Sequence, residues 1–153
     1  MNRRGFTIIE LLTVVAVAGL LTGIATPYYH RLQSRATAAQ AIGALHVVRT
    51  AAYAYNESNG GWPTTEPIGT VPSGMGRYLP SGFTFDKPGF RMAWRRETWV
   101  TNGVEETSQM VQLETTDPAV CDAIDRLLGG STNINLLSAC NGATGLITLY
   151  LDN

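Results

Sequence analysis

The sequence predicts an α+β protein in which one long N-terminal helix packs against a roughly four-stranded antiparallel sheet. Residues 6–26 form an apolar run whose only charge is Glu10, residues 32–55 place apolar side chains every three or four positions, and beyond Gly60 short alternating segments are separated by Gly, Pro and Asn-Gly. Spacing by three and four lines one face of a helix, whereas alternation lines one face of a strand. The 153 residues are 44% hydrophobic and 15% charged. An ordinary soluble domain is roughly 25% charged, so part of this chain is not built to face water. Eleven basic residues against twelve acids, net charge -1, exclude a strongly basic nucleic-acid binder and an acidic disordered tail.

The N-terminus reads as a targeting device. A short leader carrying Arg3 and Arg4 precedes the apolar run, and no further basic residue occurs before Arg31. As a helix, residues 6–26 extend about 31 Å, enough to cross a hydrocarbon core of about 30 Å. The flanking arginines hold the leader in the cytoplasm and send the rest outward. A cleaved secretory signal would have a shorter apolar region of about 7 to 15 residues. A plain signal anchor fits the length and flanks, but Glu10 argues against it. A carboxylate inside such a helix costs roughly 2.5 to 3.5 kcal/mol, so it implies a partner. Arg3 and Arg4 lie six or seven positions before it and Arg31 lies 21 beyond. A cation at the right depth would be a free backbone amine, made by cutting the Gly5 to Phe6 bond.

The stretch Arg4-Gly5-Phe6-Thr7-Ile8-Ile9-Glu10-Leu11-Leu12 resembles the prepilin signal of type IV pilins and of the pseudopilins of type II secretion systems. The resemblance covers residues 4 to about 32, in a fixed order of basic leader, small residue, aromatic, apolar run and single acid. It implies that a membrane prepilin peptidase cuts after Gly5 and methylates the new Phe6 amine. Glu10 then pairs with the terminal amine of a neighbouring subunit during assembly. Gly19 and Pro27 fall where many members of the family weaken the helix. The expected organisation is a leader at 1–5, a membrane and filament-core helix at 6–26, an amphipathic spine at 27–59 and a head at 60–153. The expected partners are further copies of the chain, the peptidase, an inner-membrane assembly platform and, before assembly, lipid. The precursor would sit in the inner membrane with its head in the periplasm.

Beyond Pro27 the stripe Leu32, Ala36, Ala39, Ile42, Leu45, Val48, Ala52 and Tyr55 predicts a helix face turned to a core. Asn59-Gly60-Gly61 with Pro63 predicts its end. Pro27 removes a backbone donor, and with Gly19, Thr22, Gly23 and Thr26 nearby it predicts a helix that kinks or loosens there. Residues 60–82, rich in Pro and Gly, read as a long loop. Strands are expected at 83–87, 90–101, 104–115 and 145–151, with Asn102-Gly103 as a tight hairpin turn. Asp117 caps a short helix to residue 128, with Pro118 in its first turn and Gly129 past its end.

Two cysteines, Cys121 in that helix and Cys140 in the loop after it, would close a ring of about 20 residues worth roughly 3 kcal/mol if joined. Two unpaired buried thiols are the alternative, but export favours the bond, and many type IV pilins have a similar C-terminal disulfide loop.

No residue pattern points to catalysis, a cofactor or a metal. His30 and His46 stand sixteen positions apart on one helix, and Asp117, Asp122 and Asp125 lack calcium-loop spacing. Arg91, Trp94, Arg95, Arg96 and Trp99 could stack and neutralise single-stranded nucleic acid. On a strand, however, Arg91 and Arg95 face away from Trp94, so a solvated face with a buried tryptophan is preferred and DNA capture is a minor alternative. The sequence thus favours a non-enzymatic pilus subunit. A type II secretion pseudopilin, a minor pilin for adhesion or DNA uptake, and a membrane-anchored domain that never assembles are the alternatives.

Overall fold

The computed structural model describes residues 7–128, 136–141 and 144–151. Its first element, α1 (Ile8–Asn59), is a single 52-residue helix, about 78 Å long at roughly 1.5 Å per residue. Thr7 caps its start, and Gly60 ends it in the left-handed conformation at φ 66°, donating to the Asn56 carbonyl. Pro27 lies inside the helix. Nearby, the Thr22 and Thr26 hydroxyls donate to the carbonyls of Ala18 and Thr22, each at 2.8 Å. Back-bonding of this kind slightly weakens and bends helices. In the isolated chain α1 nevertheless continues through Gly19 and Pro27.

The core-facing residues of α1 are Ser34, Ala38, Ala41, Ala44, Leu45, Val48, Ala51 and Ala52. The sequence stripe is correct from Leu45 onward, but Leu32, Ala36 and Ala39 are exposed. Alanine surrounds this stretch, so periodicity alone does not choose a face there. The sheet docks where small side chains admit it most closely. The turn at Gly89 shows the limit: a Cβ there would stand 2.9 Å from Thr37 Cγ2.

The sheet is antiparallel throughout, with β1 (Asp86–Lys87), β2 (Phe90–Thr101), β3 (Val104–Thr115), β4 (Leu136–Asn141) and β5 (Thr144–Leu151) in the order β1-β2-β3-β5-β4. Asn102 and Gly103 both have positive φ, 53° and 80°, as a two-residue hairpin turn requires. The expected strand at 83–87 shrinks to Asp86–Lys87, although the Phe85 carbonyl still accepts from Met92 of β2. The strand β4 was expected as loop; it pairs along the free edge of β5. Before it, α2 (Pro118–Leu128) begins at Asp117, whose Oδ1 accepts from the Ala119 N–H at 2.9 Å.

Both helices pack on one face of the sheet. Val48 and Ala52 of α1, Ile124 of α2, and Trp94, Val111, Leu113 and Ile147 of the strands share one core. The segment 60–85 is strapped along β2. Gly69 donates to the Met92 carbonyl at 2.7 Å, and Met92 donates back to Phe85 at 2.8 Å. Trp94 Nε1 donates to the Pro63 carbonyl at 3.0 Å, and the Arg96 N–H to Thr65 Oγ1 at 2.9 Å. A short 3-10 turn, Met75–Tyr78, buries Met75. Its tyrosine returns to the end of α1, where hydrogen bonds from Ser58 and then Asn59 hold the phenol below its usual pKa.

Gly89 has φ 92° as well as a crowded Cβ position. Gly89→Ala is expected to cost about 1 to 3 kcal/mol, and Thr37→Ser, which removes the facing methyl, to recover part of it. A double-mutant cycle in thermal unfolding measures that coupling, and additive effects would refute the contact.

Candidate functional site

The candidate site is the first half of α1. Every described residue from Thr7 to Gln33 is exposed in the isolated chain, including Ile8 at 79% and Ile24 at 74%. An 18-residue window of the helix reaches a mean hydropathy of 2.3 with none of it buried. Apolar surface of this extent marks a membrane or protein contact. Pro27 and the head beyond leave it as a free stem. A Cβ at Gly19 or Gly23 would meet nothing within 4 Å, so both glycines leave the stem surface flat for a close neighbour.

Glu10 is tied into the start of this stem. Its Oε2 accepts from the Thr7 backbone N–H at 2.8 Å and from the Thr7 hydroxyl at 2.7 Å. The Glu10 N–H returns to Thr7 Oγ1 at 3.4 Å, completing a capping box. The carboxylate is thus held at the helix N-terminus, where the dipole favours negative charge. Oε2 takes both bonds, and among the described residues no donor meets the other oxygen. Thr7 was missed in the sequence reading, although Thr-x-x-Glu before an apolar run is a readable signature. Gly5 and Phe6, expected at the cleavage and methylation site, lie outside the described residues.

Cys121 lies at the end of the head nearer the stem, where Gly145 adjoins Thr115 and the Thr115 hydroxyl donates to the Gly89 carbonyl. Cys121 is fully buried on α2. A Cβ on Gly145 would collide with Cys121 Sγ and lie 2.7 Å from its Cβ, and Gly145 is the register partner of Cys140. The Cys140 side chain lies outside the described residues.

The aromatic and basic strand is largely occupied. Trp94 is buried, Arg91 pairs with Glu114 at 2.8 Å, and Arg95 Nε donates to Gln112 at 3.2 Å. His30 and His46 are exposed on α1. No described group of three His, Cys, Asp or Glu is close enough to hold a metal ion.

Comparison with known proteins bears on the stem. Residues 1–26 match the prokaryotic N-terminal methylation motif. The chain is 33% identical over 82 residues to a type IV major pilin protein PilE1 of Neisseria gonorrhoeae and to a fimbrial protein of Neisseria meningitidis serogroup B. Each match takes in 52% of this chain, and they cover 38% and 48% of those relatives. A fimbrial protein of Pseudomonas aeruginosa is 40% identical over 50 residues, 33% of this chain and 32% of its own. The N-terminal half is similar to type IV major pilin and fimbrial proteins. The chain thus spans about half or less of the length of the curated relatives it matches. No solved structure matches it significantly. The motif covers the stem alone, and the antiparallel head follows it in the same chain.

Thr7→Ala removes the cap hydroxyl while keeping the backbone. Loss of an N-cap costs about 1 kcal/mol, so protection of the Glu10 amide in micelles is expected to fall about fivefold. Unchanged hydrogen exchange at Glu10 would rule out the capping box.

Proposed function

We propose that this chain is the structural subunit of a type IV pilus, anchored by its stem and then polymerised through it. The observation that carries the proposal is Glu10, a single carboxylate in a fully exposed apolar helix that matches a methylation motif. In this reading the prepilin peptidase cuts after Gly5 and methylates Phe6. The released amine of one copy then meets the open oxygen of Glu10 in the next, while Thr7 holds the other oxygen in place. A charge left unpaired among apolar helices would be strongly destabilising, so each addition is matched in register by that pair. The stem is inserted in the inner membrane before assembly and buried among other stems afterwards. Gly19 and Pro27 let it loosen as it packs. The names of the relatives favour a pilus over a secretion pseudopilus, and deletion separates the two by loss of surface filaments or loss of secretion.

Disulfide closure between Cys121 and Cys140 belongs to the same proposal. The buried Cys121 against Gly145, and Gly145 opposite Cys140, support it. It would staple α2 to the edge strand β4 in a head with little core to spare. Gly145→Ala would displace Cys121, so thiols titrated after denaturation are expected to appear in that variant and not in the wild type.

Mass spectrometry of the mature N-terminus tests the pathway: a methylated Phe6 is expected, and an intact Met1 would overturn it. Glu10→Ala is expected to leave export and folding unchanged while filament yield falls about tenfold or more, a loss of at least roughly 1.4 kcal/mol per addition. Wild-type yield from that variant would remove the assembly role of Glu10.

A further inference from the structure

The head presents a basic pair on α1 and a group of acids on the β2–β3 hairpin. Between Glu10 and Glu57 α1 has no acid, and Arg31 and Arg35 stand one turn apart on it. Both are exposed, and no described ion pair engages either. Like charges at this spacing repel, so they weaken the helix unless something else faces them. Tyr28 and Leu32 share their face, 67% and 46% exposed. This patch lies just before Ser34, the first core residue of α1.

The acidic patch is the tip of the β2–β3 hairpin. The strand β2 begins beside Thr37 at Gly89 and reaches the loop after α1 at Trp94, which bonds to Pro63. Beyond Trp94 and Arg96 the strand runs on to the hairpin turn. Among the described residues β5 supports β3 only as far as the pair Gln109↔Leu151, and the described side chains beyond it are exposed or only half-buried. Glu97, Trp99 and Glu106 share one face of this two-stranded arm, with Trp99 opposite Glu106 and Glu97 opposite Ser108. Trp99 Nε1 donates to Glu106 Oε2 at 3.2 Å, which orients that carboxylate and leaves its other oxygen open.

We infer that the acidic hairpin tip of one copy docks on the Arg31–Arg35 face of another, with Trp99 seated against Tyr28 and Leu32. The spacings agree. Glu97 and Glu106 are diagonal neighbours across the ribbon, about 7 to 8 Å apart. Arg31 and Arg35 are separated by about 5 to 6 Å at Cβ. The two patches differ from one another and lie apart on the head, roughly 26 Å along the chain from Gly89, beside Thr37, to Glu97. A contact between unlike patches is heterologous, and when its rotation does not close it generates an open helical polymer. The occupant is therefore a second copy of this chain.

This inference rests on the pilus-subunit reading and adds a contact between heads to the pairing of stems. Its test is a charge swap in cells that supply this chain as their only copy, with sheared filaments as the readout. Arg31→Glu with Arg35→Glu is expected to lower filament yield about tenfold or more, as is Glu97→Arg with Glu106→Arg. All four together should restore most of the loss. Both patches are exposed, so the thermal unfolding of each variant in detergent should match the wild type; if a reversal fails to fold, glutamine at the same positions gives the neutral comparison. Reversals that assemble at wild-type yield would overturn the inference and leave the pilus reading standing. A loss confined to the arginine variants would mean that lipid headgroups occupy that face and would overturn it too. So would a four-fold swap that restores nothing. A wild-type chain that never forms filaments would remove the pilus reading itself.

Discussion

The constraint on which everything else depends is that the apolar half of α1 has no cover within its own chain. Roughly 40 Å of helix, from Thr7 to the first core residue, presents large aliphatic side chains on all sides. Water is an unfavourable solvent for such a surface by about 25 cal/mol for each Å². Lipid and the stems of other copies are both better. These two environments differ little for leucine and valine, so hydrophobic burial alone does not draw a stem out of the membrane. Glu10 distinguishes them, because lipid has nothing to pair with it.

The capping box changes how that acid is understood. Within its own chain Glu10 already satisfies a backbone N–H and a hydroxyl from Thr7, so the stem starts as a regular helix before any partner arrives. A carboxylate held in one rotamer loses less entropy when a second donor binds its open oxygen. In the proposed assembly, local structure thus prepares the group that would act between molecules.

The head is attached by close approach. Five alanines face the core from α1, and the loop 60–85 is laced to β2 through backbone and side-chain bonds around Met92, Trp94 and Arg96. That lacing ends at Arg96, and beyond it no described residue is bonded to the hairpin's outer edge. A rigid base and an unsupported tip place Glu97 and Glu106 away from the body, where another molecule can reach them. Arg31 and Arg35 lie on α1 beside its first core residue, Ser34.

Much of the architecture is written in local chemistry. The helix ends at Gly60 because a left-handed residue is needed there, Asn102-Gly103 turns because both residues tolerate positive φ, and Asp117 caps because its oxygen reaches two residues ahead. The oddity of Glu10 was equally legible, since an acid in an apolar run needs no tertiary information to be noticed. Other features depended on partners distant in the chain. Alanines on every side of α1 left Leu32, Ala36 and Ala39 indistinguishable from Ala38 and Ala41 until the sheet chose a face. Leu136–Asn141 becomes a strand only because β5 offers it an edge. The chain alone determined which groups needed partners, because propensity, capping and hydropathy act over a few residues. Only the tertiary structure decided which groups come together, because sheet order and close packing join residues whose separation no local pattern records.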